Sequence, residues 1–368
     1  MASIHTLSER LQAQLNELPG LRVQSMQAPP WRDGQAPEID AVLALEVQGH
    51  PVRVFVEATA HGYPRDIKAA SEKLSHALDV HGSLATPTPV YAMVIAPTIS
   101  RGGRDAARSR GIGYWDETGS LYMELPGGVY YLDRPPLQAV DRSSSQVGGR
   151  SLQNPYRGSA QQVLHALLLE PDRPWHVQEL AARAEVSLST VHQVFTFLEQ
   201  QLWVEKQGAG PRAVRFLREP GPLLDAWAPV HSLEGYAFHR FHRWARTPAA
   251  LRREVADVLD AQGIDYALTL ASGAALVAPH LSAPDRLSVL VPPTVDIERV
   301  ASAAALTPVE MGEAVTFLVT RHKSPLLFRE KVDGVFVASP VQLYLDLWAW
   351  PMRGKEQAKH VRTEVLSY

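Results

Sequence analysis

Two carboxylates near the N-terminus have the residue types and the spacing that metal-dependent hydrolysis requires. Asp40 stands at the start of one apolar strand pattern, and Glu57 stands near the end of the next. Paired carboxylates hold Mg²⁺, and a lysine two residues after the second carboxylate would orient or activate the attacking water. Thr59 occupies that lysine position, and the nearest replacement is Lys68 on the following helical segment. The set therefore favours a degenerate catalytic site over an active one, and an equally simple interpretation treats both acids as strand-end charges.

A second group of residues, within 174–208, has the pattern of a nucleic-acid-binding module. A three-residue step, Glu185-Val186-Ser187, separates two segments of helical period, and the Ser187 hydroxyl is predicted to cap the second helix. Hydroxyl and amide side chains on the exposed face of that helix suit close contact with base edges and phosphates. The predicted DNA contacts of this segment are Ser187, Ser189, Thr190, His192, Gln193 and Thr196.

The elements that must position these side chains are two helices and a hairpin. Helices are predicted over residues 176–184 and 188–201, and an apolar stripe on the second faces the first. The stripe consists of Val191, Val194, Leu198 and Leu202. Residues 203–217 suggest a strand pair turned at 207–211, which carries three further predicted contacts, Lys206, Arg212 and Arg215. A helix-turn-helix followed by a basic hairpin is a winged helix-turn-helix.

Charge leaves an alternative open for this module. Basic residues of segment 156–218 exceed acidic ones by one. The basic residues are Arg157, Arg173, Arg183, Lys206, Arg212, Arg215 and Arg218, and the acidic ones are Glu170, Asp172, Glu179, Glu185, Glu199 and Glu205. A winged helix used for protein contacts is the alternative, and the concentration of basic residues in the wing favours DNA.

The segment before residue 134 predicts an α/β domain. Strand patterns cover residues 41–47, 52–58 and 90–95, and a helical pattern covers 65–80. This order resembles the restriction-endonuclease-like fold and its Asp, then Glu-x-Lys signature, with the lysine replaced. A basic surface is expected on this domain from Arg65, Lys68, Lys73, Arg101, Arg104, Arg108 and Arg110.

The segment after the winged helix carries two weaker patterns. Residues 236–246 place Phe238, Phe241 and Trp244 on one side of a helical wheel and basic residues on another, which predicts a packing helix. Residues 268–291 suggest a nucleotidyltransferase-like layout, with Ser272-Gly273 as the small-residue turn and one aspartate, Asp285, where two are needed. We expect no catalysis there.

Composition limits the class of protein. The 368 residues include no cysteine, and 36 basic against 39 acidic residues give a net charge of −3, which excludes disulfides, thiolate metal sites and charge-driven coating of nucleic acid. A charge-free stretch at 266–284 is interrupted by polar residues and prolines, so a buried segment is expected rather than a membrane span. The start of the chain lacks the pattern of a secretory signal, and a cytoplasmic protein is expected. The predicted organisation is residues 1–134 as the first domain, 135–158 as a linker, 159–220 as the winged helix and 221–368 as a C-terminal α/β domain.

A motif near the C-terminus resembles a known family. The run Ser339-Pro340-Val341-Gln342-Leu343-Tyr344-Leu345-Asp346-Leu347, followed by residues 353–358, is similar to the C-terminal domain of the AbiEi family of transcriptional regulators, the antitoxins of type IV toxin-antitoxin systems. With the preceding winged helix, the resemblance covers about residues 160–368. It implies autoregulatory DNA binding and a separately encoded nucleotidyltransferase toxin that is opposed without a stable complex.

These patterns together predict a sequence-specific, double-stranded DNA-binding transcriptional regulator, an autoregulating antitoxin in the family's sense. A homodimer is expected, because paired half-sites give usable specificity. No cofactor, no bound metal and no enzymatic activity are expected. The alternatives are a metal-dependent nuclease acting through Asp40 and Glu57, and a non-enzymatic protein-interaction scaffold.

Overall fold

The computed structural model describes residues 4–28, 39–82, 88–134, 154–279, 286–351 and 353–368. The chain divides into two compact units, unit 1 being Met1–Arg150 with Glu199–Leu202 and unit 2 being Ser151–Leu198 with Trp203–Tyr368. Both combine helices with a seven-stranded mixed sheet, so the predicted α/β, multidomain class is confirmed. Most of the predicted linker and Asp285 lie outside the described residues.

Unit 1 is built on a sheet whose strands follow one another in chain order. Its helices are α1 (Ile4–Asn16), α2 (Pro64–Gly82) and α3 (Arg101–Ser109). Its strands are β1 (Leu21–Gln27), β2 (Ala41–Val47), β3 (His50–Ala58), β4 (Val90–Ala96), β5 (Gly113–Asp116), β6 (Leu121–Leu125) and β7 (Gly128–Leu132). Strands β3, β4 and β5 are parallel, and the flanking pairs are antiparallel. The strands predicted at 41–47, 52–58 and 90–95 and the helix predicted at 65–80 are confirmed.

Hydrophobic residues cover both faces of this sheet. Alternate residues of β2 are buried, including Leu43 and Leu45, and pack with α1 on one face. Helix α2 packs through Ile67 and Leu74 on the other face, together with Phe55 of β3. β4 is buried along most of its length because it is a central strand with apolar layers on both sides.

Unit 2 begins with the segment that the sequence predicts to be a winged helix, which is called the winged-helix segment below. It comprises α4 (Gly158–Leu169), α5 (Val177–Arg183), α6 (Leu188–Gln200), β8 (Val204–Gln207) and β9 (Val214–Leu217). The predicted helices and hairpin strands are confirmed. Val191, Val194 and Leu198 are buried as predicted, whereas Leu202 is 39% exposed and does not extend the stripe. Leu202 follows the end of α6 in a left-handed conformation with φ 61°, so the helical period no longer directs its side chain.

The rest of unit 2 surrounds a second mixed sheet. Its helices are α7 (Pro220–Trp227), α8 (Pro248–Ala261), α9 (Leu270–Val277), α10 (Ile297–Ala303), α11 (Pro340–Ala349) and α12 (Gly354–Val361), and a π-helical turn covers Arg362–Leu366. Its strands are β10 (Ala237–His242), β11 (Ala267–Leu268), β12 (Leu287–Val291), β13 (Thr307–Pro308), β14 (Val315–Val319), β15 (Glu330–Val332) and β16 (Val335–Val337). They are arranged in the order β13-β10-β14-β12-β11-β16-β15. One continuous hydrophobic core includes both the winged-helix segment and this sheet.

Two expectations for the C-terminal segment are wrong. Residues 237–242 form strand β10 rather than a helix, because they pair with β14 over five positions. Trp244 then follows the strand and is 77% exposed instead of joining an aromatic stripe. Ser272 and Gly273 lie inside α9 rather than in a turn. A Cβ on Gly273 would come within 2.6 Å of the Leu268 carbonyl oxygen and of a Leu343 methyl group, so this glycine permits close packing.

The predicted buried nature of the charge-free stretch is confirmed where it is described. Tyr266, Ala267, Leu268 and Leu270 are all at most 2% exposed. Within the described ranges, no helix has the length and apolar character needed to cross a membrane.

Candidate nucleic-acid interface

The two helices α5 and α6 are joined by a turn with a capping serine and an unusual turn residue. The backbone N–H of Thr190 donates to the Ser187 hydroxyl at 3.2 Å, which is the predicted N-terminal cap of α6. Glu185 in the turn has φ 52°, in the left-handed region that favours glycine. The turn is closed by a hydrogen bond from the Val186 N–H to the Ala181 carbonyl at 3.0 Å. Helices α5 and α6 both bury apolar residues in the core of unit 2, namely Leu180 and Ala181 of α5 and Val191, Val194 and Phe195 of α6.

The predicted contact residues of α6 lie on the side opposite this core. Ser189, His192 and Thr196 are exposed, and Thr190 and Gln193 are half-buried. The Thr196 hydroxyl donates to the His192 carbonyl oxygen at 2.9 Å, and the Thr190 and Ser187 hydroxyls are 3.0 Å apart. The exposed Ser189 and His192 side chains are thus the groups on this face most accessible to a ligand.

The wing is a hairpin with a third strand segment. Lys206 of β8 pairs with Arg215 of β9, and Trp175 forms a backbone bridge to Arg215 on the other side, with N···O distances of 2.9 and 3.0 Å. Trp175 is fully buried and so ties the wing to the helices. Sequence reasoning missed this contact, because a single bridged residue leaves no alternating pattern.

The basic residues of the module divide into paired and unpaired ones. Arg173 and Arg183 both bind Glu170, at 2.7 and 3.1 Å, and Arg218 binds Glu205 at 2.7 Å. Burial disfavours ionisation of Glu170, but the hydrogen bonds from the two arginines outweigh it, so its pKa is lowered. The exposed Lys206 and Arg212 have no ion-pair partner in the part of the chain that the structure describes.

Arg215 contributes to packing as well as to charge. Its guanidinium lies over the Phe195 ring at 4.9 Å from the centroid, and the residue is only partly exposed. The unpaired positive charge of the wing is therefore concentrated at Lys206 and Arg212, on both sides of the turn.

The two acids of unit 1 are neighbours, and the lysine beside them is Lys73 rather than Lys68. The Ala58 N–H donates to Asp40 Oδ2 at 2.7 Å, which places Asp40 beside the end of β3. The Glu57 carboxylate is 2.5 Å from Lys73 Nζ. Lys68 is exposed on α2, so the structure corrects the replacement from Lys68 to Lys73. Both Lys68 and Lys73 lie on α2, so the sequence alone does not say which of them is the partner of Glu57. The packing of α2 on the sheet places Lys73 there.

The electrostatics of Glu57 are unusual. Burial raises the pKa of the Glu57 carboxyl, the Lys73 hydrogen bond opposes that rise, and the neighbouring Asp40 charge adds to it. Glu57 is 4% exposed, and its Oε2 atom has no hydrogen-bond partner among the described residues. Thr59 Oγ1, at the position expected for lysine, is also buried and unpartnered there. No cluster of three or more His, Cys, Asp or Glu side chains suited to a metal ion occurs in the described ranges.

The predicted basic surface of unit 1 is smaller than expected. Arg104 is 7% exposed and binds Asp116 at 2.9 Å and Asp133 at 2.6 Å. Arg108 pairs with Asp105 and lies over the Tyr131 ring. These two arginines therefore stabilise the fold rather than provide free positive charge.

The C-terminal motif forms a buried polar network. Ser339 caps α11 by accepting from the Gln342 N–H at 3.2 Å and contacts His165 Nε2 at 2.5 Å. Gln342 Nε2 donates to Asp346 Oδ1 at 2.7 Å, and Asp346 is fully buried. His231 Nε2 is 3.0 Å from the same Oδ1 atom.

The fourth polar motif residue, Tyr344, stacks on Trp348 with ring centroids 5.7 Å apart. His165 and His231 were not predicted as partners of the motif, because they lie 174 and 115 positions away from Ser339 and Asp346 along the chain.

Comparisons of the chain with protein-family models, with curated proteins and with solved structures find no significant match.

Proposed function

We propose that the chain is a double-stranded DNA-binding transcriptional regulator in which α6 enters the major groove and the wing follows the adjacent phosphate backbone. The observation that supports this proposal most directly is that Lys206 and Arg212, in the hairpin that follows α6, have no ion-pair partner among the described residues. Exposed Ser189 and His192 on α6 supply groups for base edges. Phosphate contacts fix the register of such a module, and base contacts give its specificity.

The resemblance of the Ser339 to Leu347 motif to the AbiEi family supports autoregulation as the biological role. In that role the protein represses its own promoter and opposes a separately encoded nucleotidyltransferase toxin. A homodimer would place two α6 helices on half-sites about 34 Å apart, one turn of B-DNA.

The test is a fluorescence-anisotropy titration with duplexes from the region upstream of the protein's own gene. We expect binding to one of these duplexes about 10³-fold tighter than to a scrambled duplex of equal length and composition. An Arg253→Gln variant is the control, since Arg253 is exposed on α8, outside the winged helix. Equal binding to both duplexes at low salt would contradict the proposal and favour the protein-interaction scaffold.

A second candidate function, metal-dependent phosphodiester hydrolysis by unit 1, is favoured by the unpartnered Glu57 Oε2 atom beside Asp40. Two carboxylates fit Mg²⁺, which is commonly held by one or two carboxylates together with water and substrate phosphates. Asp40 and Glu57 would hold the ion, which would polarise the phosphate and activate water. Lys73 replaces the missing lysine and keeps the buried Glu57 paired with a positive charge.

Hydrolysis is tested by incubating duplex and single-stranded DNA with the protein and Mg²⁺ or Mn²⁺. Cleavage that is abolished in Asp40→Asn and Lys73→Met, but retained in the exposed Lys68→Met control, would support this second function. DNA that stays intact under all of these conditions would count against it and leave the regulator proposal unaffected.

A further inference from the structure

Unit 2 contains a cavity of about 440 Å³ that α4 lines together with several segments of residues 221–368. Its walls include the start of α4, the segment between α7 and β10, and the segment after β14. Cavities that bind small molecules have volumes of roughly 300 to 1,000 Å³. The size therefore suits a small organic molecule rather than a single water or ion.

The floor of the cavity is held by the buried network of the C-terminal motif. Gln342 and His231 line the cavity, and both contact Asp346 Oδ1 beneath it, at 2.7 and 3.0 Å. The Thr269 hydroxyl donates to the other carboxylate oxygen at 2.7 Å. Gln342 also approaches the Tyr236 hydroxyl, at 3.5 Å. Because both oxygens of Asp346 are satisfied, the polar groups of the floor are fixed in position before any ligand arrives.

The rim of the cavity is positively charged. Arg157, Arg321 and His322 line it, all three are exposed, and none has an ion-pair partner among the described residues. Glu234 is the one acidic residue of the lining. Two unpaired guanidinium groups on one rim favour an anionic group, since arginine binds carboxylate and phosphate through paired hydrogen bonds.

Aromatic side chains form one wall. Tyr156 and Trp227 line the cavity with ring centroids 6.4 Å apart, and Tyr236 lies on the lining as well. Trp227 is 2% exposed, and its Nε1–H has no acceptor in the described part of the chain. Trp227 therefore backs this wall from within the hydrophobic core, and the half-buried Tyr156 and Tyr236 supply its accessible aromatic surface.

We propose that this cavity binds a small anionic molecule with a planar aromatic or heteroaromatic ring, the ring against Tyr156 and the carboxylate or phosphate group at Arg157 and Arg321. The Gln342 and His231 side chains on the floor fix the orientation of the ring's polar edge. This assignment does not depend on DNA binding.

The test is a calorimetric titration of the full-length protein, without DNA, using pairs of anionic and neutral probes. Nucleoside 5′-monophosphates are compared with the matching nucleosides, and aromatic carboxylates with the matching amides. We expect saturable binding of anionic members at one site per chain and no binding of the neutral members or of inorganic phosphate at the same concentration. Binding of the phosphate series alone identifies a phosphorylated ligand, and binding of the carboxylate series alone identifies a carboxylated one.

Two rim variants make the test specific to this cavity. Arg157→Gln and Arg321→Gln should each weaken binding about tenfold or more, the loss of one charge-assisted hydrogen bond. Both residues are exposed, so the fold is expected to persist, and Arg253→Gln on α8 is the matched control. Absence of binding by every anionic probe at millimolar concentration, or binding that both rim variants retain in full, would overturn the proposal.

Discussion

At the scale of single residues, the Arg104–Asp116 ion pair is a sensitive point of unit 1. The side chains are 9% and 0% exposed, and Arg104 Nε also donates to the Ile99 carbonyl oxygen at 3.1 Å. Removing one member of a buried pair leaves an uncompensated charge, which costs about 3–5 kcal/mol. We expect Arg104→Met to lower the free energy of unfolding by that amount in urea denaturation. The exposed Arg101→Met is the control, and an equal effect of both substitutions would contradict the structural role of Arg104.

His165 links stability to pH. Burial, with smaller contributions from His231 and Arg183, lowers the pKa of His165 from 6.5 to about 3. The unfolded chain therefore takes up a proton near pH 6.5 that the folded chain does not, so the stabilisation from neutral His165 is present above pH 6.5 and is lost as the pH falls toward 3. For one proton, the free energy of unfolding changes by about 1.4 kcal/mol per pH unit.

Replacing His165 with Gln removes this slope. We expect the unfolding free energy of the wild type to fall more steeply between pH 6.5 and pH 5 than that of His165→Gln. The difference in slope should approach about 1.4 kcal/mol per pH unit, the value for one proton. The comparison uses slopes, so a general loss of stability in the variant does not affect it. His239→Gln on the exposed side of β10 is the control, and identical slopes for wild type and His165→Gln would rule out the assignment.

At the scale of elements, the turn between α5 and α6 carries local strain. A non-glycine residue in the left-handed region costs about 1–2 kcal/mol, and Glu185 is exposed there with φ 52°. Glycine avoids that cost but loses about 0.4–1 kcal/mol through the greater entropy of the unfolded chain. We expect Glu185→Gly to raise the free energy of unfolding by about 0.5 kcal/mol or more, and the β-branched Glu185→Val to lower it. Chemical denaturation measures both variants. A Glu185→Val variant more stable than Glu185→Gly would contradict the assignment of strain to this position.

The wing and helix α6 should contribute differently to DNA binding. In the proposed complex Arg212 contacts a phosphate, so Arg212→Ala should weaken binding to all duplexes equally and reduce the slope of log K against log salt by about 1. Arg218→Ala is a control within the same hairpin, since Arg218 is already paired with Glu205 and should change that slope less.

Gln193→Ala on α6 should instead reduce the preference for the specific duplex. Anisotropy titrations over a series of salt concentrations distinguish these effects, and equal slopes for Arg212→Ala and wild type would place the wing away from the DNA.

At the scale of the whole molecule, the shared core of unit 2 connects the two proposed sites. Helix α4 lines the cavity and belongs to the winged-helix segment, while Gln342 on α11 lines it from the C-terminal segment. A ligand that orders the contact between α4 and α11 would alter the affinity for DNA. Linkage then requires DNA to alter the affinity for the ligand by the same factor. Couplings of this kind are about 5- to 150-fold.

The coupling is measured by titrating DNA with and without a bound anionic probe, and the probe with and without DNA. We expect equal factors in the two directions. If the probe and the DNA both bind but each is indifferent to the other, the cavity is a ligand site without influence on the winged helix, and both individual proposals remain.

Local sequence accounts for the parts of this protein that depend on neighbouring residues. The strands β2, β3 and β4, the helices α5 and α6, the Ser187 cap and the wing strands follow from local periodicity, capping chemistry and turn residues. The sequence placed Asp40 at the start of one predicted strand and Glu57 near the end of the next, and the antiparallel pairing of β2 with β3 brings the two residues together.

Contacts between distant segments arise from the packing of the folded chain, and no local pattern predicts them. This packing made residues 237–242 a strand by pairing them with β14, chose Lys73 over Lys68 beside Glu57, and buried Arg104. It also joined the C-terminal motif to His165 and His231 and formed the cavity above them. The physical reason is that periodicity records which face of an element is apolar, whereas partners more than a hundred residues apart are selected by packing of the whole unit.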